Sequence, residues 1–175
     1  MDTVDTSVLI SEQEYLDTSY DPDCELVDGH LLERNVGERP HSILQGELIF
    51  FFRARRKQLG VRAFPEQRVW VAPRRYRIPD VCVYRDPAPR DPVFSTPPFI
   101  AIEILSPKDR MSRMRVKIDD YLRFGVQYVW IIDPETRRAD VYTASGFYEA
   151  KDLILRTEDP PIELPLGEMF QALDE

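Results

Sequence analysis

Hydrophobic residues recur along this chain with two different spacings, and each spacing predicts its own kind of element. Helical spacing is present in three segments, residues 8–20, 41–59 and 109–124. Ser11 is a predicted cap of the first helix, because Glu14 follows three residues later as in a capping box. Gly60 and Gly125 stand directly after the second and third segments and are predicted to end those helices.

Short apolar runs bounded by turn residues predict the strands. The predicted strands are residues 61–71, 78–84, 99–105 and 128–133, with hairpins around Asp28-Gly29 and around Ser145-Gly146. The segment 85–98 contains five prolines and is therefore predicted to be a loop. The order of helix, three strands, helix and strand predicts a mixed α/β sheet with helices packed against it.

The composition narrows the class of protein. The 175 residues predict one domain, with its body in residues 1–150 and an acidic, proline-containing extension of the same domain in residues 151–175. A hydrophobic content of 43% excludes a disordered chain, and two cysteines exclude a disulfide framework or a four-cysteine zinc site. Because no apolar run is long enough for a membrane span and the first residues lack the basic region of a signal peptide, we expect a cytoplasmic protein without a membrane partner.

Glu103 is the most informative candidate for chemistry. It lies inside the run 99–105, in which both alternating faces are apolar, and such a run is typical of a strand buried on both sides. An isolated carboxylate in that position is costly unless a cation or strong hydrogen bonds compensate its charge. Two interpretations follow from the residues, a salt bridge to a nearby arginine or a bound metal ion.

Asp80 gains its significance from Glu103. An aspartate at the start of a strand is usually solvated, but here two consecutive apolar strands each carry one carboxylate. If the strands are neighbours, Asp80 and Glu103 supply two oxygen ligands to one divalent cation, and the backbone carbonyl of Ile104 can add a third. Mg²⁺ suits such a site, because it accepts one or two carboxylates together with water and phosphate oxygens.

Lys117 lies on the third predicted helix at the border between its polar and apolar stripes. Most helical lysines are solvated, and the same ordinary interpretation applies to His41 at a helix start and to Glu25 in a strand. The sequence contains no glycine-rich phosphate loop, nucleophile elbow or paired zinc-binding histidines.

Six segments in a fixed order nevertheless resemble a known family. They are Glu25-Leu26-Val27-Asp28-Gly29, His41 before a long helix, Tyr76-Arg77-Ile78-Pro79-Asp80-Val81, Glu103-Ile104-Leu105-Ser106-Pro107, Lys117 with Tyr121, and Gly125-Val126-Gln127-Tyr128-Val129-Trp130-Ile131-Ile132-Asp133-Pro134. Together they resemble the Uma-two family of restriction endonucleases, a branch of the PD-(D/E)XK nuclease superfamily. The resemblance spans about residues 8–150 and implies a restriction-endonuclease-like core, a central mixed sheet flanked by helices.

The resemblance also implies roles for individual residues. Asp80 and Glu103 match the acidic positions of the signature, and together with the Ile104 carbonyl they are expected to hold Mg²⁺ or Mn²⁺. The signature lysine belongs two residues after Glu103, where this chain has Leu105, so Lys117 is expected to replace it from the following helix.

The expected activity is metal-assisted hydrolysis of phosphodiester bonds by a magnesium-dependent endonuclease, with Lys117 stabilising charge on the phosphate. Glu25 and His41 are auxiliary candidates. Nucleic acid, with DNA the expected substrate, is predicted to contact six arginines through its backbone, namely Arg74, Arg75, Arg77, Arg110, Arg113 and Arg115. The net charge of −8 opposes such binding over the whole surface but not at a local basic site.

Two alternatives stay open on the sequence. The fold can serve a catalytically silent binding or scaffold module, since fold does not determine function. Glu103 can instead belong to a structural or dimerisation protein in which an arginine neutralises it. A homodimer is expected in the nuclease interpretation, because two cuts in a duplex favour twofold symmetry.

Overall fold

The computed structural model describes residues 8–175. These residues form four α-helices, α1 (Glu12–Asp17), α2 (Arg39–Leu59), α3 (Met111–Phe124) and α4 (Leu166–Gln171), and a short 3-10 helix (Ala172–Asp174). They also form twelve strands, β1 (Cys24–Val27), β2 (His30–Glu33), β3 (Val61–Pro65), β4 (Val69–Ala72), β5 (Arg75–Arg77), β6 (Val81–Arg85), β7 (Ile100–Ile104), β8 (Tyr128–Asp133), β9 (Arg138–Thr143), β10 (Gly146–Glu149), β11 (Ile154–Thr157) and β12 (Ile162–Pro165). None of these helices is long and apolar enough to cross a membrane.

A six-stranded mixed sheet in the order β10-β9-β8-β7-β6-β3 forms the centre of the molecule. Strands β7 and β8 are parallel and are joined by α3, whereas the other neighbouring pairs are antiparallel. Helix α2 packs on one face through side chains such as Leu48 and Phe52, and α3 packs on the other face through Met114 and Ile118. The prediction of a central mixed sheet flanked by helices is confirmed.

A second sheet, in the order β2-β1-β5-β4, lies on the α3 side of the molecule. Its hairpin turns at Asp28 and Gly29, which have φ values of 51° and 84° and thus provide the left-handed conformation that a tight hairpin requires. Strand β4 contributes Val69 and Val71 to the same core cluster as α3. The second sheet therefore packs directly against the helix that carries Lys117.

The predicted boundaries of the helices are close to those found. Ser11 accepts a hydrogen bond from the Glu14 amide at the start of α1, and Gly60 and Gly125 end α2 and α3 with positive φ values. Helix α2 begins at Arg39, two residues earlier than predicted, with a proline in its first turn.

One predicted strand needs correction, and two extended elements were not predicted. The single strand predicted over residues 61–71 is two strands, β3 and β4, in different sheets, because the chain leaves one sheet at Pro65 and pairs again in the other from Val69. The short strand β5 was not predicted, since its residues Arg75–Arg77 lack apolar alternation. The prediction also missed the hairpin β11–β12 near the chain's end.

Residues 151–175 pack into the larger core. Leu155, Leu164, Leu166 and Phe170 are buried in the cluster that also contains Trp130 and the α2 side chains. We propose on this packing that residues 151–175 belong to the same domain as residues 1–150.

Candidate functional site

Asp80 and Glu103 face each other at one end of the central sheet. In the antiparallel pair β6–β7, Val81 lies opposite Ile102, and extending this register by one residue places Asp80 opposite Glu103. Directly opposed residues of an antiparallel pair point to the same face. Both side chains accordingly line one cavity, and both are buried, at 8% and 3% exposure.

The Asp80 carboxylate is held by three donors. Its Oδ1 lies 3.0 Å from Arg34 Nη2 and 3.1 Å from His41 Nε2, and its Oδ2 accepts a hydrogen bond of 2.7 Å from the Ile104 amide. Burial raises the pKa of Asp80, but the hydrogen bond and charge of His41 and the charge of Lys117 together outweigh burial. The pKa of this carboxyl therefore lies below its usual range. The hydrogen bond between His41 and Asp80 also raises the pKa of His41. His41, an auxiliary candidate on the sequence, thus contacts Asp80 directly.

Glu103 has a different environment on the opposite strand. Its Oε1 accepts a hydrogen bond of 2.6 Å from the Tyr121 hydroxyl and lies 3.0 Å from Lys117 Nζ. Burial, followed by the negative charges of Asp80 and Glu25, raises the pKa of Glu103 to about 7, although Lys117 and Tyr121 favour its ionised form. Glu103 is therefore a carboxyl that additional positive charge would ionise near neutral pH.

The Lys117 ammonium points toward Glu103 and not into solvent. It lies 3.0 Å from Oε1 of Glu103 and 3.0 Å from Oε1 of Glu25. Burial opposes its charge, but Glu103, Glu25 and Asp80 together raise the pKa of Lys117. Because its pKa is raised, the ammonium remains charged at the inner wall of the cavity, where the side chain is 14% exposed.

Glu25 connects Lys117 to the second sheet. Its Oε1 accepts a hydrogen bond of 2.8 Å from the Ile78 amide, and its Oε2 accepts one of 2.9 Å from Arg77. Arg77 in turn binds Asp120 of α3 through two nitrogens, at 2.8 and 2.7 Å. Burial would raise the pKa of Glu25, but Lys117 and Arg77 lower it below the usual range. Lys117 and Asp120, which lie at the two ends of this series of contacts, both belong to α3. The contacts therefore hold α3 against strands β1 and β5.

The arginines predicted to bind a nucleic-acid backbone divide into two groups. Arg110, Arg113 and Arg115 are exposed on or next to the first turns of α3, and the first two line the mouth of the cavity, while Arg74 is exposed on the hairpin side. Arg77 is only 4% exposed and pairs with Glu25 and Asp120, so its prediction as a backbone contact is wrong. Arg75 is largely occupied by Asp28 and Asp120.

Sequence reasoning missed Arg34 and gave no role to Tyr121. Arg34 follows a short strand in a polar segment, and only the fold brings it to Asp80, 46 residues further along the chain. Tyr121 did carry a signal, since a residue four positions after Lys117 lies on the same side of a helix. Gln45 was also missed, although it donates a hydrogen bond of 2.9 Å to the Asp80 carbonyl and ties α2 to the start of β6.

The donor set fits a hydrated Mg²⁺ or Mn²⁺ better than a cation enclosed by protein ligands. Within residues 8–175, no three histidine, cysteine, aspartate or glutamate side chains converge in a metal-binding arrangement. Two opposed buried carboxylates, one with a raised pKa, and a cavity of about 130 Å³ beside them are present instead. Mg²⁺ commonly binds through one or two carboxylates and retains water in its other positions.

Comparisons with known proteins agree with this architecture. A crystal structure described as "a putative nuclease belonging to DUF820 from Anabaena variabilis ATCC 29413" superposes with a TM-score of 0.80 at 24% identity, covering 94% of this chain and 99% of that one. At that identity the likeness establishes the fold alone. No curated protein matches the sequence. The model of the Uma2 family, described as "Putative restriction endonuclease", matches residues 12–173. The chain therefore belongs to the Uma2 family, as its ordered motifs predicted.

Proposed function

We propose that this protein is a metal-dependent endonuclease that hydrolyses phosphodiester bonds of nucleic acid, with DNA as the expected substrate. The observation that carries the proposal is the buried pair of Asp80, directly before β6, and Glu103, on the neighbouring strand β7, with a charged lysine beside them in one cavity. Membership of the Uma2 family supports the reaction class.

The cation would be held by the carboxylates of Asp80 and Glu103 and by the backbone carbonyl of Ile104. When bound, Mg²⁺ or Mn²⁺ polarises a phosphoryl oxygen and lowers the pKa of a coordinated water. Asp80 is already ionised, because the pKa of its carboxyl lies below the usual range. Glu103 releases its proton near neutral pH, since burial holds its pKa at about 7.

Lys117 takes the role of the missing lysine at position 105. Its ammonium stabilises negative charge that develops on the phosphate, and Glu25 helps to keep it in position. His41 is the auxiliary group on Asp80, where its Nε2 orients one carboxylate oxygen. Arg110 and Arg113 at the mouth of the cavity contact the backbone of the substrate, which adds affinity without sequence specificity.

Substitution of Lys117 tests the catalytic assignment. Lys117→Met should lower kcat by ~10²-fold or more, the scale observed when one electrostatic stabiliser is removed. The fold should survive, because Glu25 retains Arg77 and the Ile78 amide and Glu103 can take up a proton. The measurement is cleavage of plasmid DNA and of single-stranded substrates in Mg²⁺ or Mn²⁺, with circular dichroism to verify folding.

Two further variants accompany this test. Lys57→Met, on an exposed part of α2, is the matched control and should cleave like wild type. Arg113→Met should raise KM with little change in kcat, because a backbone contact contributes to binding. Normal cleavage by Lys117→Met together with a lost kcat in Arg113→Met would transfer the catalytic role to Arg113.

A catalytically silent binding module is the second candidate. The observation that favours it is the occupation of Asp80 Oδ1 by both Arg34 and His41, together with Leu105 at the usual lysine position. Binding of Mn²⁺ that depends on Asp80 separates the two candidates. A homodimer is expected of the endonuclease, and light scattering during size-exclusion chromatography measures it directly.

A further inference from the structure

Arg34 is a largely buried cation beside the candidate site, and the proposed mechanism does not use it. Its guanidinium lies 3.0 Å from Asp80, 3.5 Å from Glu66 and 4.0 Å from Asp23, and the side chain is 14% exposed. It lines the same cavity as Glu103 and Lys117. A residue in that position is close enough to influence both a cation and a phosphate.

The three partners of Arg34 differ in the strength with which they hold it. Glu66 and Asp23 are about half exposed, at 53% and 46%, so water screens their attraction. Asp80 is 8% exposed, and at this carboxylate the attraction is least screened. The side chain is therefore held in place chiefly by Asp80.

The backbone of Arg34 is fixed while its side chain has room to turn. The Arg34 amide donates a hydrogen bond of 2.9 Å to the Asp23 carbonyl, which continues the ladder of the β1–β2 hairpin by one residue. The side chain faces the cavity, where it borders open space. A change of side-chain rotamer can thus move the guanidinium without moving the sheet.

Charge balance then links Arg34 to the cation. Without metal, Arg34 pairs with Asp80 and Lys117 pairs with Glu103. A divalent cation on Asp80 would meet a guanidinium that cannot lose its proton, so the two compete for the same carboxylate. A phosphodiester brought into the cavity would remove the surplus positive charge, because guanidinium binds phosphate through paired hydrogen bonds.

We propose that Arg34 is a phosphate-binding residue that occupies Asp80 in the absence of substrate and transfers to the substrate phosphate when the cation binds. This inference rests on the proposed function. Metal ion and nucleic acid then bind cooperatively, since each removes an obstacle to the other. By linkage, the factor by which DNA tightens metal binding equals the factor by which metal tightens DNA binding.

The experiment is a calorimetric titration of Mn²⁺ into the full chain, with and without a phosphorothioate DNA duplex that resists cleavage. In wild type, the duplex should tighten Mn²⁺ binding by about tenfold or more, within the usual range of coupling between sites. In Arg34→Gln, Mn²⁺ should bind about tenfold more tightly without DNA, and addition of the duplex should change the affinity less than twofold. Arg34→Lys retains the charge but not the paired hydrogen bonds, and should bind Mn²⁺ as weakly as wild type.

Lys108→Gln is the matched control, because it removes one positive charge from the exposed lining of the cavity at a residue that has no role in the proposed mechanism. An equal gain in Mn²⁺ affinity in Lys108→Gln would reduce the effect to general electrostatics and overturn the proposal. Unchanged or weaker Mn²⁺ binding in Arg34→Gln would also overturn it while leaving the proposed function intact. If neither wild type nor Arg34→Gln binds Mn²⁺ at millimolar concentration, the proposed function fails and this inference fails with it.

Discussion

Two groups of buried charges lie side by side in this molecule, and they are built differently. The clamp cluster consists of Glu25, Arg77 and Asp120, and the cavity cluster consists of Asp80, Glu103, Arg34 and Lys117. In the clamp cluster, the Arg77 guanidinium makes short contacts with the Glu25 carboxylate in the second sheet and with the Asp120 carboxylate on α3. In the cavity cluster, one carboxyl keeps a pKa of about 7, and all four side chains line the cavity, which Glu25 and Arg77 of the clamp cluster also border.

The difference separates a structural ion-pair network from a candidate binding site. Glu25 and Glu103 are both buried glutamates that contact Lys117, yet the pKa of Glu25 is lowered and that of Glu103 is raised. Glu25 has a second cation and a backbone amide as partners, whereas Glu103 has a neutral hydroxyl. A buried carboxyl whose charge is incompletely compensated is the one that gains most from an added cation.

Removal of Arg77 should have the largest effect on the clamp cluster. Arg77→Met leaves Glu25 and Asp120 buried without their shared cation, and we expect a loss of ~3–5 kcal/mol in the free energy of unfolding. Urea denaturation measures it. Arg53→Met on the exposed face of α2 is the control and should change stability by less than ~0.5 kcal/mol. A loss below ~1 kcal/mol in Arg77→Met would mean that the clamp cluster does not hold α3.

The pH dependence of the free energy of unfolding should distinguish Glu103 in the cavity cluster from Glu25 in the clamp cluster. The pKa of Glu103 is about 7 in the folded protein and 4.5 in the unfolded chain. The folded state therefore binds the proton more tightly, and stability should fall as pH rises from 4.5 to 7, by roughly 3 kcal/mol at ~1.4 kcal/mol per pKa unit. Thermal unfolding across this range is the measurement.

Glu103→Gln is expected to remove this fall in stability. Glu25→Gln should not remove it, because the pKa of Glu25 is lowered and its contribution is already complete above its unfolded pKa. A wild type whose stability does not decline between these pH values would show that Glu103 is fully compensated without a metal ion.

Divalent metal should stabilise the cavity cluster by a smaller amount. At a concentration ten times its dissociation constant, Mn²⁺ or Mg²⁺ should add ~1.4 kcal/mol by binding to the native state alone. For a chain of this size the melting temperature should rise by roughly 3–6 °C. Asp80→Asn should abolish the rise, whereas the clamp variant Asp120→Asn, if it folds, should retain it. No rise in wild type at millimolar metal would favour the silent binding module.

The Tyr121 hydroxyl should make the smallest contribution. Tyr121→Phe removes the 2.6 Å hydrogen bond to Glu103 and should cost ~1 kcal/mol of stability near pH 8, where Glu103 is charged. The cost should shrink near pH 5, because the hydrogen bond lowers the pKa of Glu103 and mainly stabilises its ionised form. Tyr142→Phe on β9 serves as the control, and its effect should not vary between these pH values. A pH-independent cost in Tyr121→Phe would assign Tyr121 to packing alone.

Much of the candidate site was predictable because its residues are marked by local context. Glu103 is conspicuous in an apolar strand, and strand alternation places it on the face opposite Ile102 and Ile104. This inference needs only the period of the strand that carries the residue. Lys117 was assigned through the family resemblance instead, because helical spacing alone is typical of a solvated lysine.

Other predictions failed where a residue's environment depends on distant parts of the chain. Arg77 belongs to a run of basic residues that resembles an exposed surface, but pairing of β1 with β5 buries it between Glu25 and Asp120. Arg34 has no local feature that distinguishes it from a solvated arginine. The division of residues 61–71 between two sheets was invisible for the same reason, since each half has the pattern of a strand.

The sequence by itself determined helices α1, α2 and α3, most of the strands, the family and the two carboxylates, because periodicity and residue order are properties of the chain. Only the tertiary structure decided which cationic side chain pairs with which carboxylate. It placed Arg34 on Asp80 from 46 residues away and Lys117 between Glu25 and Glu103. The physical reason is that the charge state of a buried carboxyl depends on its desolvation and on cations within a few ångströms, and both arise only when separate elements pack together.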